Sequence, residues 1–105
     1  MRPAAVVLGL WLSTLGAAAA TRPATHTVTI EATRFTPATL TIKAGDSVTW
    51  VNKDPFPHTA TSKAGGFDSQ LVAAGASWTF TPKKKGSFAY ICTIHPTMKG
   101  TLQVK

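Results

Sequence analysis

The sequence predicts an all-β fold, a Greek-key β-sandwich, and three observations carry that prediction. Apolar and polar residues alternate with a period of two in six separate runs. Proline and glycine fall between those runs and not inside them. Nothing after the first twenty residues repeats with a helical period.

The elements follow in order. Residues 1–20 read as an export leader, with Arg2 as a short basic start and a nearly unbroken apolar run over residues 4–15. Ala18, Ala19 and Ala20 then offer small residues for cleavage. The run is short for a membrane span of about 20 residues, so no stable membrane insertion is expected. The leader has no twin-arginine pair, which favours the general secretory route and a periplasmic destination. Residues 21–105 form the predicted domain. Val28 and Ile30 alternate with Thr27, Thr29 and Glu31, and Leu40 and Ile42 with Thr39, Thr41 and Lys43. Ala44, Gly45 and Asp46 mark a turn into a strand over Ser47–Asn52, which is rich in β-branched and aromatic residues. Trp78 and Phe80 supply the next alternation, Phe88 and Tyr90 the one after, and Leu102 and Val104 the last. Residues 53–75 are the least regular stretch and hold His58, framed by Pro55 and Pro57. A long irregular segment in a small domain points to function. Six or seven short strands at this spacing fit a sandwich with Greek-key links.

Composition narrows the function. The chain of 105 residues has a formal charge of +7 and a single cysteine. A lone cysteine forms no internal disulfide, and a free thiol is a liability in an oxidising compartment. A thiolate held by a metal is not. The charge suits an acidic partner, and the absence of a basic strip interleaved with aromatics argues against nucleic acid. Lys83, Lys84 and Lys85 form the densest run and read as a solvated turn.

The chemistry lies in Cys92-Thr93-Ile94-His95-Pro96-Thr97-Met98. Thiol, imidazole and thioether recur at every third position, on the connection between two strands. The thioether is the discriminator. Methionine is a poor zinc ligand and a good copper ligand, and two histidines, one cysteine and a long axial methionine make the blue-copper donor set. The second histidine is His26 or His58. His58 sits on a proline-constrained loop after a strong strand, which suits a preformed site, whereas His26 lies at the edge of the first strand. The predicted ligands are therefore His58, Cys92, His95 and Met98, holding one copper ion. A Cys–His catalytic pair would want an orienting third group and has no use for the methionine. The four carboxylates are scattered, so no enzyme activity is expected.

The segments Gly45–Asn52, Phe56-Pro57-His58-Thr59, Gly86–Cys92 and Cys92 through Gly100 together resemble the cupredoxins, most closely the short-loop branch of amicyanin and plastocyanin. The Cys-x2-His-x2-Met spacing is the amicyanin pattern. The resemblance implies a type 1 copper near one end of the sandwich and electron transfer through the edge of His95. It implies redox partners such as an amine dehydrogenase and a c-type cytochrome. Amicyanin-like chains commonly carry asparagine after the first ligand histidine, where this chain has Thr59. Thr59 and Asn52 are then the side chains expected to brace the ligand loops. Pro55, Phe56, Ile94 and Pro96 are expected to form a docking patch around His95, serving transient encounters of a monomer below about 1,200 Å². The lysines are expected to steer a partner bearing acidic patches. The same ligands would also serve a copper carrier, buffer or sensor that moves the ion and not the electron.

Overall fold

The computed structural model describes residues 22–105. The expected leader, residues 1–20, lies outside them. Nine strands and no helix occur among the described residues: β1 Thr25–Glu31, β2 Arg34–Thr36, β3 Thr39–Ile42, β4 Ser47–Asn52, β5 Thr61–Ser62, β6 Phe67–Asp68, β7 Ser77–Phe80, β8 Gly86–Cys92 and β9 His95–Val104. They build two sheets, in the orders β2-β1-β4-β7 and β3-β9-β8-β5-β6.

β1 pairs parallel with β4, and β3 parallel with β9. Each parallel pair needs a connection that crosses between the sheets, which produces the Greek-key sandwich. Alternation along the strands sends one face inward. Val28, Ile30, Val48, Trp50, Leu102 and Val104 are each at most 3% exposed and fill the space between the layers. Trp50 stands at the centre of an aromatic cluster, edge-on to Tyr90 at 5.5 Å and tilted against Trp78 at the same distance. Gly100 lies opposite Tyr90 in the β8–β9 pair, and a β-carbon there would overlap the phenol ring.

The six alternating runs seen in the sequence correspond to β1, β3, β4, β7, β8 and the end of β9. Three strands exceed the expectation. β2, β5 and β6 have three, two and two residues, too few to establish a period. β9 also starts earlier than its alternating run, at His95, because Cys92 pairs with His95 across a tight turn.

The pairing fixes two poles. Parallel β1 and β4 both end at one pole, where Ile30 lies opposite Asn52, and β8 arrives there with Cys92. At the other pole Val48 lies opposite Phe80, and Gly86 opposite Val104.

Candidate metal centre

The first pole gathers three segments. β4 ends at Asn52, and the chain turns through residues 53–57 to His58. His58 makes an isolated antiparallel bridge with Val72 and is fully buried. β8 delivers Cys92, also fully buried, and the hairpin returns His95 half-buried beside it. The donor atoms of His58, Cys92 and His95 all lie within 4.8 Å of one another. His58 Nδ1 is 3.6 Å and His95 Nδ1 3.8 Å from Cys92 Sγ, and the two imidazole rings are 4.9 Å apart between centroids. Met98 is buried three residues further along β9. Two imidazoles and a thiol converging at this spacing, with a thioether on the strand that begins at His95, fit one copper ion.

Asn52 is fully buried and braces the first loop. Its side-chain amide donates to the carbonyls of Phe56 and Val72, both at 2.9 Å, and its oxygen accepts the Asp54 N–H at 2.9 Å. Thr59 ties the two loops together. Its N–H donates to Cys92 Sγ at 3.3 Å, and its hydroxyl oxygen accepts the Thr93 N–H at 2.9 Å. The hydroxyl thus bridges the two ligand loops, as expected for a side chain at this position.

The sequence reading missed Asp54. Its Oδ2 lies 2.7 Å from His58 Nε2 and accepts the Thr33 N–H at 2.9 Å, while Oδ1 accepts the Ala32 N–H at 2.8 Å. Burial alone would raise this carboxyl. The Thr33 N–H, the His58 imidazole and the Ala32 N–H outweigh it and hold the group below the usual carboxylate range. An ionised carboxylate only accepts hydrogen bonds. His58 Nε2 therefore carries the proton, and the lone pair sits on Nδ1, the nitrogen facing Cys92. This is the tautomer a metal needs. The signal available in the sequence was an aspartate four residues before a candidate ligand.

Pro55, Phe56, Ile94 and Pro96 are all exposed around this pole. Phe56 is 41% and Ile94 49% exposed, and the Phe56 ring lies 5.8 Å from the His95 ring. Leu71, not expected in this patch, is 64% exposed and precedes Val72, the bridge partner of His58. The lysine run is elsewhere. Lys83, Lys84 and Lys85 form the expected exposed turn, connecting β7 to β8 at the opposite pole. His26 is there too, its Nε2 3.0 Å from Asp46 Oδ2.

A two-sheet sandwich with a buried thiol between two imidazoles at one pole defines a small β-domain built around a single metal site. The chain belongs to the cupredoxin-like domain family, whose sequence model matches residues 4–104. Amicyanin from Paracoccus versutus is 35% identical over 94 residues, spanning 84% of this chain and 71% of that one. Plastocyanin from Scenedesmus fuscus is 36% identical over 84 residues, spanning 68% of this chain and 86% of that one. Among solved structures, a copper-containing nitrite reductase from Thermus scotoductus superposes with a TM-score of 0.73 and 32% identity, over 81% of this chain and 23% of that enzyme.

Proposed function

We propose that this chain is an exported blue-copper electron carrier, and that His58, Cys92, His95 and Met98 would hold the copper. The observation that carries the reading is the convergence of two imidazole nitrogens on one fully buried thiol. Bound copper would alternate between Cu(II) and Cu(I) and so take up and release one electron.

The chain's own residues make that exchange cheap. Asp54 fixes the His58 tautomer and ring plane before metal arrives. The Thr59 N–H directed at Cys92 Sγ stabilises negative charge on sulfur, and such bonds tune a thiolate–copper potential. Asn52 and the Thr59 hydroxyl keep the two loops in place, so the site changes little between oxidation states. Four donors from the chain leave no position for a substrate, which supports a carrier and not an enzyme. His95 is the ligand that reaches the surface, and Pro55, Phe56, Ile94 and Pro96 surround it with apolar area suited to brief redox encounters. The relatives support redox proteins as partners, with an amine dehydrogenase and a c-type cytochrome as the pair the amicyanin likeness suggests. Residues 1–20 would direct export to the periplasm, and residues 21–105 would work there as a monomer.

Cyclic voltammetry of the copper-loaded protein beside a cuprous chelator tests the reading. Reversible one-electron waves with copper retained over repeated cycles are expected. Rapid loss of Cu(I) to the chelator at each reduction would replace the electron carrier with a copper carrier, buffer or sensor.

A further inference from the structure

Six of the cationic side chains gather at the pole opposite the copper residues. Lys43 follows β3, Lys83, Lys84 and Lys85 link β7 to β8, Lys105 follows β9, and Arg22 precedes β1. Backbone bonds lock these ends together. The Ala44 N–H donates to the Lys105 carbonyl at 2.9 Å, the Gly45 N–H to the Pro82 carbonyl at 3.3 Å and the Ser47 N–H to the Ala24 carbonyl at 2.9 Å. All six cations are exposed. Arg22, Lys43 and Lys105 line a groove of about 430 Å³ there. Asp46 is the carboxylate among them, and its oxygens are already engaged by the Ala24 and Lys43 N–H groups and by His26. Towards the copper pole the cations are fewer and spread out: Arg34 lies opposite Glu31 in the β1–β2 pair, Lys53 follows β4, and Lys99 lies opposite Ile91.

β8 runs between the poles. Gly86 adjoins Lys85 and Cys92 lies in the site, six residue rises apart, or about 20 Å. A redox protein held on the lysines would therefore be kept a sheet's length from His95, and electron transfer weakens steeply with distance. The charge serves some other surface. The chain also enters the domain at this pole, through Arg22, directly after the leader with its apolar run over residues 4–15. Until the leader is cleaved, that end of an exported chain is the one nearest the lipid.

We propose that the basic pole docks on anionic phospholipid. The lysines meet headgroup phosphates, the groove between Arg22, Lys43 and Lys105 takes one of them, and the copper pole faces away from the membrane, open to redox partners. The docking is independent of the electron-carrier reading, because it uses none of the metal residues.

Sedimentation of the exported, copper-loaded protein with vesicles tests this. Vesicles containing phosphatidylglycerol should bind it and pure phosphatidylcholine vesicles should not. Salt at about 1 M, where the screening length falls to about 3 Å, should release it. Each lysine near an anionic surface is worth about fivefold in binding, so replacing Lys83, Lys84 and Lys85 by serine should weaken it about a hundredfold. Lys53→Ser, at the copper pole, should leave it unchanged. Equal binding to both vesicle types, or parental binding by the triple variant, would overturn the proposal. So would failure to bind vesicles alongside salt-sensitive binding to polyglutamate, which would assign the pole to an acidic protein.

Discussion

Replacing Asp54 by alanine removes three hydrogen bonds at once from a buried carboxylate. The largest loss falls on His58, which is fully buried. Its Nε2–H has no water to turn to, and an orphaned buried donor costs about 2 kcal/mol. Ala32 and Thr33 belong to an exposed turn, where water can replace the lost acceptor, so each amide contributes about 0.5 kcal/mol. The sum is about 3 kcal/mol. For a domain of this size each kcal/mol moves the melting point by about 4–8 °C, so the metal-free variant should melt about 12–24 °C lower. Copper binding should weaken separately, by about 10–100-fold, because nothing then holds the proton on Nε2. Thermal melts of the metal-free protein and chelator competition for copper read the two effects apart. Asp54→Asn sharpens the test. It keeps the volume but cannot accept from all three donors, so copper affinity should drop more than stability. A variant within about 0.5 kcal/mol of the parent, the range of an ordinary surface substitution, and with parental copper affinity would refute the role assigned to Asp54.

Three further outcomes follow from the same structure. The Ala24 N–H, with His26 and the Lys43 N–H, holds the Asp46 carboxyl down to about 2; a depressed carboxyl stabilises the fold above its unfolded value near 4 and loses that contribution as pH falls towards 2. Acid melts of the metal-free protein should therefore show a stability limb between about pH 5 and pH 2 that is shallower in Asp46→Asn. Thr59→Val removes the acceptor for the Thr93 N–H while keeping the backbone bond to Cys92 Sγ, and should cost about 1 kcal/mol in melting experiments and broaden the copper signal in electron paramagnetic resonance. Gly100→Ala places a β-carbon inside the Tyr90 ring and should cost about 1–3 kcal/mol by overpacking, measured by denaturant titration, with Tyr90→Leu in the same chain recovering part of the loss.

How much of this was legible in the sequence depends on how far apart the interacting residues lie. Alternation along Ser47–Asn52 or Gly86–Cys92 is a local property of half-buried strands, so those elements can be read directly. Thr61–Ser62 and Phe67–Asp68 become strands only because β8 offers an edge to pair with, and a dipeptide carries no period. The early start of β9 was hidden by Pro96, a residue that argues against a strand when taken alone. At the site, Cys92 and His95 are joined by spacing, and His58 by its constrained loop. The role of Asp54 was not visible, because its partners Ala32 and Thr33 come from a turn 21 and 22 residues away that reaches it through the β1–β4 pairing. Lys83, Lys84 and Lys85 were plain as a run, but which pole they occupy follows from strand direction, and that only the folded sheets determine.

The central claim is a thiolate–copper redox site, and the visible spectrum tests it most directly. The protein should take up one equivalent of Cu(II) and show an intense blue band that disappears on reduction, returns on oxidation and is missing from Cys92→Ser. A colourless or faintly absorbing complex, or a band that survives in Cys92→Ser, would contradict it.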